Sequence, residues 1–61
     1  MREAMYEVRV GKMSWGTFRT LTEAAQYAAK AAAEEVGYYG TIRWRIVDRR
    51  TGKVVRDEVT K

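Results

Sequence analysis

TIRWRIVDRRTGKVVRDEV, residues 41–59, is the stretch whose reading decides the fold. Thr41–Val47 alternates apolar and charged side chains, the period-2 mark of a half-buried strand. Asp48-Arg49-Arg50-Thr51-Gly52-Lys53 follows as a hairpin loop, with glycine late, where a positive φ is usually required. Pairing Asp48 with Lys53 predicts one face made of Ile46 opposite Val55, Trp44 opposite Asp57 and Ile42 opposite Val59. The other face pairs Val47 with Val54, Arg45 with Arg56 and Arg43 with Glu58. One side of this hairpin is largely apolar and the other carries arginine, and a slip of one residue would invert the two.

Immediately upstream lies a helix. Thr20-Leu21-Thr22-Glu23 is a capping box, in which Thr20 caps the amide of Glu23 and Glu23 reaches back to Thr20. Leu21, Ala25, Ala28, Ala32 and Val36 recur at helical spacing as one stripe, and Gly37 is placed to stop the helix from the C′ position. Alanine dominates the segment, which raises helix propensity and gives a slim face able to lie close to a sheet. Ala29 and Ala33 fall on the outer side, beside Gln26 and Lys30.

Further upstream, Tyr6–Val10 (YEVRV) alternates again, and Gly11-Lys12 offers a two-residue type II′ turn. Folding there puts Val10 opposite Met13, Val8 opposite Trp15 and Tyr6 opposite Thr17. Tyr6, Val8, Val10, Met13 and Trp15 then share one side, and Phe18 lies on the other. Two hairpins around one amphipathic helix predict an α+β fold of order β-β-α-β-β, a four-stranded antiparallel sheet with the helix on one face. Strand order is left open.

The 61 residues allow one domain, 1–61, with residues 1–5 expected as a flexible N-terminus. A chain this short buries only about 60% of the surface it exposes unfolded. Its core rarely supplies more than roughly 3–5 kcal/mol net. There is no cysteine or histidine, hence no disulfide and no thiolate or imidazole metal site, so packing must hold the fold. No stretch approaches the ~18–20 apolar residues that span a bilayer, and MREAMYEVRV has no signal-peptide apolar region. The chain therefore reads as soluble and cytoplasmic, with no membrane partner.

Composition also argues against catalysis. Without His or Cys the common nucleophile–base pairs are missing, and the one serine, Ser14, sits in a hairpin with no evident base. The carboxylate pairs Glu34-Glu35 and Asp57-Glu58 are sequence neighbours, which diverge on a helix and point to opposite faces of a strand. Thr51-Gly52-Lys53 matches a phosphate loop only in letters. No enzyme activity, cofactor or metal is expected.

Charge points instead to binding. Residues 1–40 hold five basic side chains (Arg2, Arg9, Lys12, Arg19, Lys30) and five acidic ones. Residues 41–61 hold seven basic and three acidic, so the whole excess of +4 lies there. Such a local field favours anionic partners. Arg9, Arg43, Arg45 and Arg56 are predicted on the outer sheet face, with Arg49, Arg50 and Lys53 at the hairpin tip. Arg45 opposite Arg56 is a like-charge cross-strand pair, which is mildly destabilising and invites an external anion. Trp15 and Trp44 fall on the helix-facing side. Tyr38 and Tyr39 follow the helix, one packed under its end and one exposed as an interface anchor. Ring-poor and arginine-rich, the outer face does not suit base stacking.

The segment Tyr38-Tyr39-Gly40-Thr41-Ile42-Arg43-Trp44-Arg45-Ile46, with the hairpin around Gly52, resembles small phage-encoded anti-CRISPR proteins acting on type I surveillance complexes. The likeness is one of layout over roughly residues 6–57: strand, T/S-x-x-E-A helix, aromatic-x-Gly-Thr, long basic hairpin. It implies an inhibitor that docks on a Cas subunit and interferes with target DNA. Arg43, Arg45 and Arg56 would form its face and Tyr38 and Tyr39 its edge anchors, in a monomer or homodimer. The WGTF-R-T-LTEAA run, residues 15–25, also looks like the strand-to-helix step of AP2-type DNA-binding domains, which place three strands before their helix rather than two. The alternative to the inhibitor is a basic nucleic-acid-binding module touching phosphate backbone through the open sheet.

Overall fold

Alternation, turn glycines and one capped alanine stripe generate five elements in the computed structural model, which describes residues 5–61. They are β1 (Tyr6–Val10), β2 (Met13–Phe18), α1 (Leu21–Tyr39), β3 (Ile42–Asp48) and β4 (Lys53–Thr60). All neighbouring strands are antiparallel and the order is β2-β1-β3-β4, with α1 packed on one face. Both β2 and β3 run antiparallel to β1, so they are parallel to each other with β1 between them. Such a connection needs a crossover, and α1 supplies it. The central places therefore go to β1 and β3, and β2 and β4 form the edges.

The core is small because the helix contributes only methyl groups to it. Ala24, Ala28 and Ala32 are fully buried on α1 against Val8, Ile42, Trp44 and Ile46, and among the described residues Val8 and Ile46 are the large side chains with no exposure. Leu21, Ala25, Val36, Tyr6, Val10, Trp15 and Phe18 close the margins. Trp44, 4% exposed, lies under the helix and donates its indole N–H to Thr60 Oγ1 at 3.2 Å. Ala24, absent from the stripe read in the sequence, is central to the contact. At its N-terminus α1 is capped by Thr20, whose Oγ1 accepts from the Glu23 amide at 3.1 Å.

At its C-terminus the helix corrects the sequence reading. Gly37 does not stop it. The chain stays helical for two more residues, and Gly40 ends it with φ 83° while donating its N–H to Val36 at 2.8 Å. Two glycines three residues apart could each serve as a stop. The second wins because the tyrosines between them lose nothing by being helical. Both tyrosines are exposed, Tyr38 at 83% and Tyr39 at 71%, so neither is tucked under the helix end as expected.

Both hairpins turn where the sequence places them, and both slip by one residue further on. In the first, Gly11 takes φ 60° while Lys12 does not have positive φ, as a type II′ turn requires. Val10 faces Met13 as read, but a bulge at Trp15 then sets Val8 opposite Gly16 and Tyr6 opposite Phe18. Gly16 accommodates the bulge with φ 146°, and Phe18 moves to the helix side, where its ring lies 5.1 Å from that of Tyr27. In the second hairpin, Asp48 receives the Gly52 amide at 2.7 Å on its carbonyl and the Arg50 amide at 2.9 Å on its carboxylate, with Gly52 at φ 76°. Asp48–Lys53 and Val47–Val54 pair as read. A bulge between Ile46 and Val47 then inserts Val55, and Ile46 faces Arg56, Trp44 faces Glu58 and Ile42 faces Thr60.

Electrostatics accounts for the second slip. The regular register would set Arg45 across from Arg56, whereas the bulged one sets it across from Asp57. Asp57 then also takes Arg43 in a bidentate pair, Nε to Oδ1 at 2.9 Å and Nη2 to Oδ2 at 2.7 Å. At the N-terminus, Met5 is part of the fold rather than a loose end. Its amide donates to the Phe18 carbonyl at 2.9 Å and its carbonyl accepts from Arg49 at 2.7 Å. Residues 1–4, the rest of the expected flexible N-terminus, lie outside the described residues.

Candidate interaction surface

Residues alternate across a pleated sheet, so burial of Val8, Trp44 and Ile46 under α1 turns their sequence neighbours outward. The open face carries Glu7 and Arg9 from β1, Arg43, Arg45 and Val47 from β3, and Val54, Asp57 and Val59 from β4. At its centre Arg9 and Arg45 stand directly opposite each other on β1 and β3. Arg9 reaches back to Glu7 at 3.4 Å and Arg43 is held by Asp57, whereas Arg45 has no carboxylate within ion-pair distance among the described residues. Three guanidinium groups therefore share the face with two carboxylates and with Val54 and Val59, about half exposed at 48% and 51%.

The carboxylates are tuned by this arrangement. A hydrogen bond from Ser14, with help from the Arg9 and Arg49 charges, holds Glu7 below its ordinary value of 4.5. The Arg43 hydrogen bonds, with its charge and that of Arg45, hold Asp57 below 3.8. Both stay ionised at neutral pH, so the open face is a mixed field and not a uniformly positive one.

The nine residues singled out from the sequence do not form one site. Arg9, Arg43 and Arg45 share the open face. Arg49, Arg50 and Lys53 sit at the β3–β4 turn, at the end of the sheet where Tyr6 pairs with Asp48. There Arg50 folds back on Asp48, amide and guanidinium together, and depresses the Asp48 carboxyl. Tyr38 and Tyr39 lie at the opposite end, beside the start of β3. Arg56 is not on the open face. Lying opposite Ile46, it projects on the helix side past the helix edge, paired with Glu58 at 3.2 Å. The predicted Arg45–Arg56 pair does not exist, and Arg9–Arg45 takes its place across the other edge of β3. Alternation alone could not show this, because it rests on the bulge and on strand order.

Sequence reasoning missed a groove on the helix side, between the β1–β2 turn and the C-terminal half of α1. It is a solvent-open concavity of about 690 Å³, lined by Met13, Trp15, Tyr27 and Tyr39 with Glu34 and Glu35. The signal available in the sequence is the recurrence of Tyr27, Ala31, Glu34 and Glu35 along one helix flank.

Among the described residues no group of three or more acidic side chains is placed to hold a metal ion, and no helix is long and apolar enough to cross a membrane. Comparison with protein-family models, with curated proteins and with solved structures finds no match to the chain.

Proposed function

We propose that this protein is a non-catalytic docking module whose open sheet face seats on the surface of a partner protein. The observation that carries this reading is Arg45: it faces Arg9 across one side of β3, makes no ion pair with the Asp57 opposite it on the other because Arg43 holds both oxygens of that carboxylate, and is bordered by half-exposed valines. Arginine beside apolar side chains is the composition of protein interfaces, and a guanidinium left facing another gains most from an incoming carboxylate. Two fixed carboxylates on the same face, Glu7 and Asp57, argue for a protein partner over a phosphate backbone, since a run of phosphates would meet both. The likeness in layout to anti-CRISPR proteins supports a particular form of the reading, an inhibitor docked on a Cas subunit of a type I complex that blocks target DNA.

The test is target-duplex binding by purified type I surveillance complexes with and without the protein, beside Arg45→Glu. Loss of duplex binding that Arg45→Glu restores is expected. Complexes that bind their duplex equally well in its presence would refute the inhibitor form. Retention of the protein on bare duplex, with log K falling by about 0.9 per neutralised phosphate as log salt rises, would replace protein docking with phosphate contact.

A further inference from the structure

The helix-side groove has a chemistry opposite to that of the rest of the chain. With twelve Lys and Arg against eight Asp and Glu, the protein is basic, yet the groove lining contains two carboxylates, Glu34 and Glu35, and no cation. Trp15, Tyr27, Tyr39 and Met13 also line it. Phe18 packs against Tyr27 at 5.1 Å, which holds one of these side chains in place.

The helix end adds a third contribution. The last turn of α1 carries no basic residue, so its carbonyls, the negative end of the helix dipole, go without a cation. Glu34 and Glu35 lie close to that end, where carboxylates are unfavourable for the helix itself. Aromatic rings, carboxylates and a helix C-terminus all attract positive charge; the first two line this concavity, and the third lies beside it at Tyr39.

We propose that this groove takes an arginine or lysine side chain presented by an extended basic segment of a partner protein. The aromatic lining would flank the cation and the stem of its side chain, and the Glu34 and Glu35 side of the groove would supply the opposite charge. A volume near 690 Å³ exceeds what one such side chain fills, so an adjoining apolar residue of the segment enters beside Met13. This is separate from docking through the open face: the groove lies on the other side of the sheet and shares none of Arg9, Arg43 or Arg45.

The experiment is a two-dimensional NMR titration with the blocked peptide Ac-Gly-Arg-Leu-Gly-NH₂ and its citrulline counterpart, which keeps the shape and removes the charge. Saturable shifts confined to Trp15, Tyr39, Glu34, Glu35 and their neighbours are expected, with binding at least about tenfold weaker for the citrulline peptide. Glu34→Gln with Glu35→Gln should weaken the arginine peptide at least about tenfold, and the exposed Tyr39→Ala should also weaken it. Both variants are first checked for unchanged dispersion of the remaining resonances. Equal binding of the two peptides, shifts centred on Glu7 and Asp57, or no saturable shift up to about 10 mM peptide would overturn the proposal.

Discussion

Arg9 of β1 and Arg45 of β3 face each other directly across the two central strands of the open sheet. Like charges so placed are mildly destabilising, by roughly 0.2–1 kcal/mol relative to a neutral pair. A domain whose core yields only about 3–5 kcal/mol has little reason to keep such a pair for its fold. Arg45→Thr removes the repulsion from Arg9 together with the attraction to Asp57, and so should change stability by no more than about 1 kcal/mol in urea unfolding. It removes docking in the same preparation. Clear destabilisation would mean that the Arg45 stem is needed for the fold.

Two glycines near the end of α1 should respond with opposite signs. Gly37 is helical and a methyl group added there meets nothing, so Gly37→Ala should stabilise by about 0.5–1 kcal/mol. Gly40 has φ 83°, and Gly40→Ala should destabilise by about 1–2 kcal/mol although the space around it is equally open. Thermal midpoints of the two variants check this. Equal responses would place the helix end elsewhere.

Much of this architecture is written in particular residues, and the departures have identifiable causes. Gly11-Lys12 and Thr51-Gly52 locate both turns, Thr20 and Glu23 start the helix, and the alternation of Ile42, Trp44 and Ile46 with Arg43 and Arg45 assigns the faces of β3. Counting by twos fails where one residue is inserted, at Trp15 and at Val55, because a bulge leaves that residue unpaired and shifts every later pair. Phe18 and Arg56 changed sides for that reason alone. The Arg9–Arg45 pair required knowing that β1 lies beside β3, which no local pattern encodes. Glu34 stays exposed and Glu35 partly so, and only the fold shows that they share a concavity with Met13 and Trp15.

Acid should loosen the fold through three carboxylates. Glu7, Asp48 and Asp57 all titrate below their ordinary values of 4.5, 3.8 and 3.8, through hydrogen bonds from Ser14, Arg50 and Arg43 respectively. A lowered folded-state pKa contributes stability that is fully present above the unfolded value and lost as pH falls through the folded one. Unfolding free energy should therefore be flat near neutrality and fall below about pH 4.5. Asp57→Asn should lower the plateau and shallow the acid slope. Added salt should weaken the Arg43–Asp57 contribution, since both side chains are substantially exposed. A profile unchanged by the substitution would mean that this pair is not formed in solution.

Ala28 tests how closely the helix lies on the sheet. It is fully buried between α1 and the strands, and Ala28→Trp should cost at least about 1–3 kcal/mol through overpacking. Ala29→Trp, one position along on the exposed side, should be near neutral. A reversed order in urea midpoints would rotate the helix by about 100°.

The docking reading depends above all on which residues stand beside Arg45, because the inserted Val55 sets it between Arg9 and an Asp57 already held by Arg43. Cross-strand nuclear Overhauser contacts between backbone protons of Arg45 and its neighbours on β4 and β1 measure this directly. Contacts from Arg45 to Asp57 on one side and to Arg9 on the other are expected. Contacts from Arg45 to Arg56 would restore the regular register, turn Arg56 to the open face and contradict the surface described for this protein.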